Sequence, residues 1–193
     1  MKTFLRIAFA AAFSFCLFAG GFSASATAMD MNHEMDMDDM KWDADDDTAF
    51  LSAMIIHHRG AVKMAEAVID TTKDAQVAAW SRAIIDSQKK EIDIMQSLLD
   101  ARVKQGGATT KAVEEMLQMM EKEMMSMQNM RISNNADVNF VSLMIPHHAG
   151  AIDMSLPALI GTSDKRIREL ARDIIVAQSQ EIDAFRNWLD AVH

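Results

Sequence analysis

From about residue 46 onward, apolar residues recur at three- and four-residue intervals, and β-branched residues never alternate with period two. The pattern predicts long helices and no strands. Asp46 or Asp47 is the expected cap of a first helix running to about Asp70. Thr72 or Asp74 should cap a second, running to about Lys104 ahead of Gly106 and Gly107. Asn135 or Asp137 opens a third, ending near Pro157–Gly161, and Ser163 or Asp164 caps a last one that runs to the C-terminus. Residues 109–131, rich in Met, Glu and Gln, read as an additional linker helix.

The pattern repeats. Shifted by 90 residues, the run from Phe50 through Met54, His57, His58, Gly60 and Ala61 to Met64 falls on Phe140, Met144, His147, His148, Gly150, Ala151 and Met154. Gln88, Glu91, Ile92 and Asp93 fall on Gln178, Glu181, Ile182 and Asp183 in the same register. A constant offset without a gap marks a tandem duplication. Each copy is a helical hairpin, repeat 1 over 47–105 and repeat 2 over 135–193. The fold expected is all-α: an antiparallel four-helix bundle with pseudo-two-fold symmetry over 47–193.

Polar residues interrupt the apolar stripes at matching places. At about 100° per residue, Phe50, Met54, His57, His58, Ala61 and Met64 share an arc of about 120°, a core-facing width. Phe140, Met144, His147, His148, Ala151 and Met154 do the same in the second copy. On the following helices Gln88 and Glu91, and then Gln178 and Glu181, sit within otherwise apolar faces. A carboxylate on a core face must be paired, hydrogen-bonded or metal-bound, and the histidines of the neighbouring helix are the nearest partners. Pro146, just before His147, is expected to kink the third helix.

Composition then narrows the chemistry. With 50% hydrophobic residues the chain can bury a core, and with only 7 Gly and 2 Pro it is poor in turns. Its 19 basic against 28 acidic residues leave no surplus to neutralise phosphates, so nucleic acid is not an expected partner. Lys2 and Arg6, the apolar stretch 7–19 and Ala26-Thr27-Ala28 read as a cleaved secretory signal over residues 1–28, with no membrane span expected after residue 28. The single cysteine, Cys16, leaves with the signal. Thioether and imidazole are then the only soft or borderline metal donors.

Methionine is abundant, at 18 residues. An acidic tail over 29–46 carries Met29, Met31, His33, Met35, Met37 and Met40, with no apolar face to bury, and reads as a flexible collector of soft cations. In the linker segment Met119, Met120, Met124 and Met127 lie on one helical face, suited either to metal collection or to a plastic packing surface. Met54, His57, His58 and Met64, with Met144, His147, His148 and Met154, are the candidate ligands in the repeats. Gln88, Glu91, Gln178 and Glu181 are candidates to orient the imidazoles. Thioether with imidazole selects copper(I) or silver(I), and imidazole with carboxylate would also suit copper(II). The bland alternative is a buried His–Glu network with Met as core filler.

The doubled Met-Ile-x-His-His-x2-Ala pattern, each followed by Gln-x2-Glu-Ile, resembles the bacterial "domain of unknown function 305" family over roughly 47–193. The resemblance implies a ferritin-like four-helix bundle, secreted or periplasmic, with copper binding and tolerance among Met-rich members. It also implies that Met54, His57, His58, Met64, Met144, His147, His148 and Met154 are metal positions. The expected function is a periplasmic copper(I)/silver(I) protein that sequesters or transfers metal, with a copper-export or acceptor protein as a further partner. Two alternatives remain open: a carboxylate-bridged di-metal oxidase, which has too few inward carboxylates here, and a metal-free interaction module.

Overall fold

The first helix begins one residue after Asp43, whose carboxylate accepts from the backbone N–H groups of Asp45 and Asp46 while Asp46 accepts in return from the Asp43 N–H. The reciprocal pair is a capping box. It corrects the expected start at Asp46 or Asp47: in a run of four nearby aspartates, the one whose bonds close reciprocally sets the boundary. The computed structural model describes residues 42–104 and 130–192, with the single positions 118, 120 and 122 between them. The leader, residues 29–41 of the expected acidic Met-rich tail and nearly all of the expected linker helix lie outside the described residues, while 44–46, expected in the tail, already belong to the first helix.

Among the described residues four long helices follow in order: α1, Ala44–Ile69; α2, Ala75–Lys104; α3, Ala136–Gly161; and α4, Lys165–Val192. Asp74 accepts from the N–H groups of Gln76 and Val77 at the start of α2, and Asn135 from those of Asp137 and Val138 at the start of α3. Asp164 accepts from the Arg166 N–H as α4 opens. These side chains satisfy donors that a helix start leaves unpaired. Pro146 and Pro157 both lie within α3, which continues through them. Among the described residues no helix is long and apolar enough to cross a membrane.

The α1–α2 and α3–α4 hairpins join along α1 and α3. The core is two apolar clusters. One combines Phe50, Leu51 and Met54 of α1, Met95 and Leu98 of α2, Ala151 and Ala158 of α3, and Ile167, Leu170 and Ile174 of α4. The other combines Ala61, Met64 and Val68 of α1, Val77 and Ile84 of α2, Phe140 and Met144 of α3, and Phe185 of α4. The first half of α1 therefore lies against the second half of α3, and the reverse, so the two helices run antiparallel. A shift of 90 residues carries one cluster onto the other: Phe50 to Phe140, Met54 to Met144, Ala151 to Ala61 and Ile167 to Val77. The 90-residue offset read in the sequence thus relates matching positions of the two clusters. The architecture is an all-α four-helix bundle with two equivalent apolar ends.

One end carries an added clamp. Asp47, buried in α1, accepts from Trp42 Nε1 at 2.7 Å and from the guanidinium of Arg102 in α2, which also reaches Asp164 at 3.3 Å. Trp42 lies so close to Gly161 that a Cβ there would stand 2.6 Å from the Trp42 Cβ. The chain before α1 is thereby fixed across the end of α3.

Candidate metal centre

Between the two apolar clusters runs a polar waist. The same helical stripe that buries Phe50, Met54, Ala61 and Met64 buries His57 and His58, and its copy on α3 buries His147 and His148. Adjacent residues are separated by about 100° around a helix, so each pair points to either side of the stripe's centre. His57 and His147, repeat mates, face each other with ring centroids 3.8 Å apart and planes at 45°. His58 and His148 point outward to the neighbouring helix of their own hairpin. His58 Nε2 lies 2.6 Å from Glu91 Oε2, and His148 Nε2 lies 2.6 Å from Glu181 Oε2.

The glutamates stand at the edge of the waist, with their side chains 20% and 28% exposed, while the imidazoles they hold are fully buried. An ionised carboxylate can only accept, so Nε2 donates, and in the neutral ring the lone pair is then on Nδ1. Nδ1 of His58 and of His148 has no hydrogen-bond partner, and neither does either ring nitrogen of His57 or His147. Six imidazole nitrogens are thus buried and unpartnered. The buried amides of Gln88 and Gln178 also carry unpartnered atoms: Oε1 in Gln88, and both Nε2 and Oε1 in Gln178. Buried polar groups are normally paired, because each one left without a partner costs about 1–3 kcal/mol.

Burial holds the central pair of imidazoles, His57 and His147, neutral. The pKa of His57 is depressed to about 3, first by loss of hydration and then by the nearby His58 and His148. His147 is pushed well below the usual histidine value by burial and by His57, His148 and His58. A neutral imidazole with a free lone pair is the form that binds metal.

The thioethers are divided differently from the linear motif. Met54 and Met64 are ten positions apart, about 15 Å along one helix, and fall in opposite clusters. The two thioethers of one Met-x2-His-His-x5-Met motif therefore belong to different ends of the bundle. Because α1 and α3 are antiparallel, Met54 shares its cluster with Met154, and Met64 shares its cluster with Met144. Met54, Met64 and Met144 are buried and Met154 is half-buried. Met95 of α2, absent from the candidates drawn from the sequence, is fully buried in the Met54–Met154 cluster. Its signal was its position on the inward face one turn beyond Glu91.

The remaining candidates contribute no geometry. His33, Met29, Met31, Met35, Met37 and Met40 lie outside the described residues, as do Met119, Met124 and Met127, while Met120 is helical and half-buried. Among the described residues, no three His, Asp or Glu side chains gather into a group that could hold a metal by nitrogen and oxygen alone. A carboxylate-bridged pair of hard metals needs such a group. The waist and its flanks offer imidazole and thioether instead, a donor set suited to a soft monovalent ion.

Sequence and structure comparisons agree with this architecture. The model of the family described as "Domain of unknown function (DUF305)" matches residues 20–99 and 47–189, and the chain belongs to that family. A crystal structure of a DUF305 fragment from Deinococcus radiodurans is 27% identical, covering 76% of this chain and 96% of its own, with a TM-score of 0.60. CopM in its Cu(I)-bound form is 25% identical, covering 79% of this chain and 99% of its own, with a TM-score of 0.62. CopM has also been solved in Cu(II)-bound and Ag-bound forms, similar to this chain at 25% identity with TM-scores of 0.62 and 0.61. An uncharacterized protein, L153, of Acanthamoeba polyphaga mimivirus is 44% identical over 54 residues, and the match spans about a third (36%) of its length.

Proposed function

We propose that this protein binds copper(I), or silver(I) in its place, through the thioethers and imidazoles of the bundle, and sequesters or passes on the metal outside the cytoplasm. The observation that carries the reading is the set of six buried imidazole nitrogens without partners, flanked at both ends by buried methionines. Left empty of any ligand, this arrangement only costs stability; as a donor set it has a use. Glu91 and Glu181 hold each outer ring through Nε2 and leave its buried Nδ1 without a partner, a common way to orient a metal-binding histidine. The metal-bound forms of CopM support the same ion class. The leader-like N-terminus supports export, and the acidic Met-rich tail and linker would collect ions and hand them to the bundle or to an acceptor protein. Copper(II) is the second candidate, since CopM has also been solved with it bound.

The test is a competition titration with cuprous ion on the purified protein and on a His57/His58/His147/His148 alanine variant. The parent should bind more tightly than micromolar, and the variant should lose the part of the stoichiometry that belongs to the bundle. Equal stoichiometry and affinity in both proteins, or affinity no better than micromolar in the parent, contradicts the proposal.

A further inference from the structure

The 90-residue offset makes the two apolar ends equivalent in position but not in donors. At one end Met54, Met154 and Met95 share a cluster, and Met95 lies one turn beyond the glutamate that holds His58. The 90-residue shift carries Met95 onto Phe185, which is equally buried and lies one turn beyond the glutamate that holds His148. The Phe185 ring centroid is 5.4 Å from that of His148 and 5.0 Å from that of Trp80. The other end thus has two thioethers, Met64 and Met144, and an aromatic wall. A second difference points the same way. Ser155, next to Met154 and between Ala151 and Ala158 of the first cluster, is fully buried and its hydroxyl has no partner. Its repeat mate is Ala65.

We infer that the two ends are unequal sites for a soft monovalent cation, and that the end built from Met54, Met95, Met154 and His58 fills first. The inference rests on the proposed metal binding and adds which end loads. Three thioether sulfurs and a free imidazole Nδ1 can surround a soft ion. At the opposite end the third sulfur is replaced by a ring that offers a cation only its π face. Loss of a group that merely orients a ligand already weakens metal binding by about 10–100-fold, so loss of a donor should cost about tenfold at least. The repeat has therefore diverged into an early-filling and a late-filling half, an arrangement suited to holding one ion while a second is exchanged.

The experiment is a silver(I) titration of the purified protein carrying methyl-13C methionine, followed by NMR with the methyl signals assigned. The signals of Met54, Met95 and Met154 should complete their shifts at lower silver than those of Met64 and Met144. Met95→Leu keeps the volume and removes the sulfur, and should weaken the first end by about tenfold or more and abolish the order. Phe185→Met should strengthen the second end until the two fill together. Simultaneous filling in the parent, or an order unchanged by Met95→Leu, overturns this inference and leaves metal binding standing. If no bundle methyl shifts at any silver concentration, both fall.

Discussion

The imidazole rings of His57 and His147 stand 3.8 Å apart at the centre of the bundle, and none of their four nitrogens has a hydrogen-bond partner. A protein selected for stability alone would fill that place with hydrocarbon. Converting both residues to leucine (His57→Leu with His147→Leu) should raise the stability of the metal-free protein by about 1–3 kcal/mol, since unpaired buried polar groups are removed without a large change of volume. The same variant should bind less silver. Urea unfolding followed by circular dichroism, with and without silver, checks both halves. A destabilised variant would mean that the rings are held by interactions other than packing. The metal-free parent should itself be folded and helical, because both apolar clusters are complete without a ligand.

Acid should unfold the protein through these same rings. The folded-state pKa of His57, about 3, lies below its ordinary 6.5, and that of His147 is lowered in the same direction. Between those limits the unfolded chain binds protons that the folded chain does not. Stability is therefore full above pH 6.5 and falls as the pH drops toward 3. Each such histidine contributes a slope of about 1.4 kcal/mol per pH unit. Urea midpoints of the metal-free protein, measured above pH 6.5 and at about pH 4.5, should show the fall, and the double leucine variant should show much less of it. An equal fall in both would place the acid sensitivity elsewhere.

Glu91→Gln and Glu181→Gln test the orientation of the outer rings. An amide can present its N–H2 to the ring and so allow the other tautomer, which moves the lone pair from Nδ1 to Nε2. Silver or cuprous affinity should fall by about 10–100-fold at the affected end. Unchanged affinity in both variants would show that His58 and His148 do not bind through Nδ1.

The clamp at the Trp42 end makes a prediction about stability alone. Arg102→Ala leaves buried Asp47 without its counter-charge and should destabilise by about 3–5 kcal/mol, less to the extent that water reaches the partly exposed site. Gly161→Ala should destabilise as well, because the new Cβ meets the Cβ and ring of Trp42 at 2.6–2.8 Å. Thermal unfolding checks both. Neither change touches the waist, so metal stoichiometry should be unaffected.

The hairpins were legible because a 90-residue shift leaves both the apolar stripes and their polar interruptions in register. The inward placement of His57, His58, Glu91 and their mates followed from helical spacing alone, since those residues are local to one stripe. The start of α1 was missed because any of several neighbouring aspartates can cap, and which one does depends on the Asp46 return bond and the seating of Trp42 on Gly161. The grouping of thioethers was missed for a different reason. Met54 shares a cluster with Met154, and Met64 with Met144, only because α1 and α3 pack antiparallel, and that is a tertiary relationship. Met95 reads as ordinary core until it is seen in the same cluster as two other methionines.

Anomalous diffraction from crystals soaked in a silver(I) or cuprous salt would show directly whether metal enters the bundle. Metal peaks are expected inside the bundle, where the waist meets the apolar ends, beside Met54, Met95, Met154 and His58 and, at higher metal concentration, beside Met64, Met144 and His148. Crystals that take up metal yet show no peak between the four helices would contradict the proposed binding.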